Sequence, residues 1–173
     1  GSFKIRGAGS LIGSVGSDDL ADGVWTASAG NMAQAVAWFA RRERLPCTVV
    51  MPDTAPDAKT SAVERLGASI VKVTFDEWLA VFRSRAFPGM RGLFVHPFSD
   101  RHVMAGNATI GVEILEDLPE ADAVVVPYGG GGLSCGIASA IRARAPRTKV
   151  FAAEIATAAP LSASLAAGEP VVV

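Results

Sequence analysis

The chain has 173 residues, half of them hydrophobic and 19% charged, with a net charge of −1. That composition excludes a disordered segment, and near-neutrality without basic or acidic runs excludes an electrostatic nucleic-acid or membrane-surface binder. No apolar run reaches the roughly 18 residues of a spanning helix, no signal peptide opens the chain, and Cys47 and Cys135 form neither a disulfide framework nor a metal-ligand spacing; a cytoplasmic setting without a metal is expected.

Strand and helix patterns alternate along the chain. Val24 to Ala27 reads as a strand, and Met32 to Arg42 as a helix with Val36, Phe39 and Ala40 on one face. Cys47 to Met51 is a second strand, stopped by Pro52. Asp57 to Leu66 reads as a helix with Gly67 at its C-terminal cap position. Ile70 to Val73 and Leu93 to Val95 are strands, with a helix over Phe75 to Arg85 between them. Val103 to Leu115 predicts a helix, Ala123 to Val126 a strand, Leu133 to Arg144 a helix and Lys149 to Ala153 a strand. The alternation predicts an α/β fold with parallel sheet and crossover helices. Trp25, Trp38 and Trp78 fall on apolar faces and are expected in the core. Glu113, Glu116, Asp117 and Glu120 read as a solvated helix end.

The stretch "VVVPYGGGGLSCGIASAI" places Gly129 to Gly132 where a buried strand ends and a helix begins. Ligands bind at the carboxyl ends of strands in open α/β sheets. A helix N-terminus offers unpaired N–H groups and a positive dipole end, and glycines let backbone approach an anion closely. The run therefore reads as a phosphate cradle completed by the amide of Leu133; a glycine-rich turn is the plainer alternative. No Lys-Ser/Thr pair follows, and G-x-G-x-x-G with a downstream acid is not matched, so a nucleotide is not the first expectation. Cys135, just after the run, is expected to be a small buried side chain.

Two further stretches carry chemistry. In "GSFKIRGA", Lys4 lies between an aromatic and an apolar residue. A lysine in apolar surroundings has a lowered pKa and can form a Schiff base, although an ordinary amphipathic helix start fits the same spacing. In "TASAGNMAQAVA", Ser28-Ala29-Gly30-Asn31 follows a strand and opens a helix, and Asn31 can cap that helix or hold a ligand hydroxyl. His96 and His102 lie outside these stretches. The first reads as packed at a strand end and the second as starting a helix.

Taken in order, "SFKIRGA", "SAGNMAQAVA", "VVMPDTAPDAK", "HPFSD", "NATIGVEILEDLP" and "VVVPYGGGGL" resemble the threonine/serine dehydratase family. These are pyridoxal-phosphate enzymes of the tryptophan-synthase-β fold (fold type II), close kin of serine racemase. The resemblance runs from Ser2 to about Leu165. The related cysteine and threonine synthases carry an Asp where this chain has Ile5.

The resemblance implies that Lys4 carries pyridoxal 5'-phosphate as an internal aldimine and acts as the catalytic base. Phe3 would lie against the cofactor, and Asn31 would hydrogen-bond its ring hydroxyl. Gly129, Gly130, Gly131, Gly132 and Leu133 would bind its phosphate. Ser28, Ala29, Gly30, Asn31 and Met32 would hold the substrate carboxylate. It implies two parallel α/β units, a smaller one over 23–99 and a larger, cofactor-binding one from 1–22 and 100–173, and a homo-oligomer, a dimer first. The implied reaction is deamination of L-threonine or L-serine to a 2-oxo acid and ammonia. A serine racemase, a hydroxyaspartate-type lyase and a non-catalytic pyridoxal-phosphate-binding piece are the alternatives.

The chain departs from the family at several positions. Racemases carry a second serine at the position of Ala29, whose methyl cannot transfer a proton, which favours elimination over racemisation. Met32 stands at a position usually His. Glu154 matches one acid of the racemase-like metal site, but Pro160 falls where a second carboxylate is expected. Asn107-Ala108 replaces a more usual Gln-Gly, read as tolerated drift. Family members also have a segment before "SFKIRGA" and a long one after Glu154. The fold is thus expected to be incomplete at both ends, with apolar sheet edges exposed.

Overall fold

A computed structural model of the chain describes residues 2–171. They divide into two compact units, one up to Gly106 and one from Asn107 onward. The first contains helix α1 (Lys4–Ile12), a 3₁₀ turn (Asp18–Leu20), β1 (Val24–Ala27), α2 (Asn31–Glu43), β2 (Cys47–Pro52), α3 (Asp57–Glu64), β3 (Ser69–Val73), α4 (Phe75–Ser84) and β4 (Leu93–Phe94). Helix α5 (Arg101–Asp117) begins in the first unit and ends in the second. The second unit continues with β5 (Ala123–Pro127), α6 (Gly132–Arg144), β6 (Lys149–Ala153) and α7 (Pro160–Ala167).

In the first unit all four strands pair in parallel, in the order β3-β2-β1-β4. Val24 sits opposite Cys47 on one side and Leu93 on the other. Because side chains alternate along a strand, the apolar run of β2 splits between two cores. Cys47, Val49 and Met51 join Val24, Met32, Val36 and Ala40 on the face that carries α2. Val50 joins Trp25, Ala27 and Val81 of α4 on the other face. A sheet covered on both sides needs strands that are nearly continuously apolar, as β1 and β2 are apart from Thr26 and Thr48. Fully burying a side chain such as Val49 contributes about 2 kcal/mol.

Local signals set the helix ends. Thr74 accepts the N–H of Glu77 on its hydroxyl at 3.3 Å, and the Glu77 carboxylate accepts the Thr74 N–H at 2.9 Å, a capping box that starts α4. Helix α1 packs on α2. It also receives the start of α5 closely, since a Cβ at Gly106 would collide with the Arg6 carbonyl.

The second unit has a two-stranded parallel sheet, with Ala123 opposite Lys149. One face packs Val124, Val126 and Val150 against Ile137 and Ile141 of α6 and Ile110 of α5. On the other, Val125 is 65% and Phe151 51% exposed. The sequence led us to expect exposed sheet edges; what is exposed here is a sheet face.

Several expectations need correction. Trp38 is 42% exposed, not core, and its ring lies under the Arg42 guanidinium, 5.3 Å away. Cys135 is exposed, because its position on α6 points away from the face carrying Ile137 and Ile141. Helix α3 ends at Glu64, with Gly67 following at φ +90. Helix α7, within the small-residue run after Glu154, was not among the expected elements. Its first turn is held by the Glu154 carboxylate, which accepts the N–H groups of Leu161 and Ser162 at 2.7 and 3.0 Å.

Candidate active site

Lys4 is the first residue of α1 and is half-buried. Its Nζ donates to the Pro97 carbonyl at 2.5 Å and lies 5.2 Å from the centre of the Phe3 ring. Burial holds its pKa below the ordinary lysine value. The sequence suggested such a desolvated amine, and the Phe3 ring is one apolar group beside it. The residue starts a helix, and its amine is partly desolvated.

The acceptor carbonyl is fixed by a residue that the motif reading set aside. His96 is 2% exposed, and its Nδ1 accepts the N–H groups of Phe98 and Ser99 at 3.2 and 2.8 Å. The ring packs among Phe82, Phe94 and Phe98. Burial first, then the Arg85 charge, pushes its pKa down to about 4, so at neutral pH it is an acceptor, not a cation. It shapes the turn that presents Pro97 to Lys4. The signal was present in "HPFSD", but the role depends on a turn closing on its own side chain, which spacing does not reveal.

The loop between β1 and α2 offers amides. Gly30 caps α2 at φ −141 and ψ −140, and its N–H donates to Ser28 Oγ at 3.2 Å. The first-turn N–H groups of α2 have no acceptor within the helix. Asn31 is exposed at its first position and lines a cavity of about 580 Å³ with Ser2, Ile5, Gln34 and Trp38; Lys4 and Ser28 are not among the lining residues. Ala29 packs its methyl against the core, and Met32 is 1% exposed within that core. The thioether is a packing residue in this structure.

In the second unit the glycine run is the turn between β5 and α6. Gly131 has φ +83 and caps α6, with Gly132 as the first helical residue. The backbone conformation favours glycine there, and a Cβ on Gly131 would sit 3.0 Å from the Tyr128 hydroxyl. A Cβ on Gly129 would meet nothing within 4 Å, which leaves open space over the bend. Buried Ser134 and half-buried Leu133 anchor the turn from below. Each unit by itself offers one group of the kind a phosphorylated aldehyde would need: the first a partly desolvated amine, the second a bend of small residues opening a 13-residue helix.

Comparison with known proteins settles the family. Residues 1–173 match the family described as "Pyridoxal-phosphate dependent enzyme". The chain belongs to that family. Among curated relatives it is 44% identical to the L-threonine ammonia-lyase of Thermotoga maritima, over 97% of this chain and 42% of that protein. It is 43% identical to the serine racemase of Homo sapiens, over 89% of this chain and 46% of that protein. The solved structure of maize serine racemase superposes with a TM-score of 0.91 at 34% identity, covering all of this chain and 53% of that one. The chain thus spans about half the length of the relatives it matches. The family's cofactor is pyridoxal phosphate, and its parallel α/β architecture is that of the tryptophan-synthase-β-like enzymes.

Proposed function

We propose that the protein is a pyridoxal-phosphate-dependent ammonia-lyase that converts a β-hydroxy amino acid, L-threonine or L-serine, to a 2-oxo acid and ammonia. The observation that carries this reading over its racemase alternative is Ala29. Its methyl group packs against the core from within the loop assigned to the substrate carboxylate, and it offers no proton.

In this reading Lys4 takes the aldehyde, Gly129 to Leu133 take the phosphate through backbone N–H groups, Phe3 lies against the ring and Asn31 bonds its hydroxyl. When bound, pyridoxal phosphate supplies an electron sink for charge developing at the substrate Cα. Lys4 moves the Cα proton: burial keeps its amine closer to the neutral form, which has the lone pair a base needs. The amides of Ser28 to Met32 fix the carboxylate and so orient the Cα–H bond. Residues 23–99 act as the substrate-holding unit, and residues 1–22 with 100–173 as the cofactor-holding one. The assembly is a homodimer, which sedimentation at micromolar concentration checks.

The test is a panel of L-amino acids with ammonia and 2-oxo acid as readouts, run beside a chiral assay for D-serine. Release from L-threonine or L-serine is expected, with loss of at least about a thousandfold and of the visible cofactor absorbance in Lys4→Ala. D-serine as the main product would favour the racemase instead. Absorbance that responds to amino acids while no ammonia appears would mean binding without turnover.

A further inference from the structure

Asn107 opens the stretch "NATIGVEILEDLP" but carries no role in the site described above. It is 1% exposed on α5, and its Nδ2 donates to the Gly132 carbonyl at 3.1 Å. Gly132 is the last glycine of the bend and the first residue of α6. One turn along α5, Gly111 leaves no room for a side chain: a Cβ there would lie 2.9 Å from the Ile137 carbonyl oxygen and 3.0 Å from the Ala140 Cβ. Positions 107 and 111 are neighbours on one helix face, and Ile110 adds an apolar contact to the same core. Close backbone approach therefore sets α5 against α6, with the Asn107 amide at the end nearest the bend.

The other half of that amide is not satisfied. Asn107 Oδ1 is buried and has no hydrogen-bond partner among the described residues. A buried acceptor without a donor costs about 1–3 kcal/mol, a penalty that an apolar side chain of similar size would not incur. Stability alone does not account for an amide here, whereas control of Gly132 does. A trans peptide is planar, so its C=O and the next N–H point in opposite directions as one rigid unit. Holding the Gly132 oxygen from α5 therefore aims the Leu133 N–H the other way.

We propose that Asn107 is a positioning residue for the cofactor phosphate: by fixing the Gly132–Leu133 peptide plane it orients the amide that completes the glycine cradle. The inference rests on the reading above that the bend binds phosphate.

The test titrates the full chain separately with pyridoxal 5'-phosphate and with pyridoxal, which has the aldehyde but no phosphate, and follows the lysine-dependent absorbance. Asn107→Leu is expected to weaken the phosphorylated ligand about tenfold, with pyridoxal unchanged and the thermal midpoint equal or higher. Asn107→Gln, which keeps an amide, should retain most of the preference. If Asn107→Leu does not fold, Asn107→Ala takes its place with the same expected ratio. Equal weakening of both ligands, no weakening, or a Gln variant as impaired as Leu would overturn the positioning role while leaving the site assignment intact. A wild-type chain that gives a lysine-dependent signal with neither ligand would overturn the site assignment, and this inference with it.

Discussion

The two sheets of this chain are written in the same residue alphabet and meet different fates. Strands β1 and β2 are buried along nearly their whole length, sandwiched between α2 on one face and α4 on the other. Strands β5 and β6 read as equally apolar in sequence, "AVVVP" and "KVFAA", but only one face is covered. An apolar run at every position calls for cover on both sides of a sheet. In the first unit the neighbouring helices provide it. In the second, Val125 and Phe151 remain in solvent, as do Ile155 and Leu165 beyond them. Strand composition thus reports the burial a strand needs, not the burial that the surrounding chain supplies.

The contrast can be broken by measurement, and pH gives the largest effect. The His96 pKa is about 4 in the folded first unit, against an ordinary value of 6.5. A depressed folded value means the contribution is fully present above about pH 6.5 and is lost as pH falls through about 4, up to roughly 3 kcal/mol in all. Arg85, Asp100 and Lys4 are the charges that act on it. Both histidines of the chain precede Asn107, so acid-induced loss of amide protection between pH 6.5 and 4 should begin in the first unit. His96→Asn should flatten that dependence, and an unchanged slope would refute the assignment.

Core truncation comes next. Val49→Ala, at a fully buried position, should cost about 2 kcal/mol in urea unfolding. Thr74→Ala removes the capping hydroxyl of α4 and should cost about 1 kcal/mol, read as faster exchange of the first-turn amides. Phe151→Ser should stay within about 0.5 kcal/mol, because the residue is already 51% exposed. A cost near that of Val49→Ala would mean the second sheet is covered in solution, and the comparison drawn above would fail.

How far the sequence could be read follows from the range of the forces involved. Strands β1 and β6 were legible to the residue, since a short apolar run bounded by turn residues is a local signal. The glycine bend was legible for the same reason: strand, glycines and helix are contiguous. Trp38 was misjudged because α2 turns part of its face toward an open cavity, and the position of a neighbouring helix is not written in its spacing. Asn107, read as drift, needed the structure. Its bond to Gly132 joins two helices 25 residues apart in the chain. The Lys4–Pro97 bond spans 93 residues and was equally invisible, although the residues at both ends lay in quoted stretches.

The unequal state of the two cysteines has a practical consequence. Cys47 is buried and its thiol is pushed up to about 12, so the thiolate that reacts with maleimides is absent at neutral pH. Cys135 is exposed one turn into α6, next to the glycine bend. A thiol-reactive dye should therefore attach to the native chain at that one position without mutagenesis, giving a fluorescent reporter beside the glycine bend.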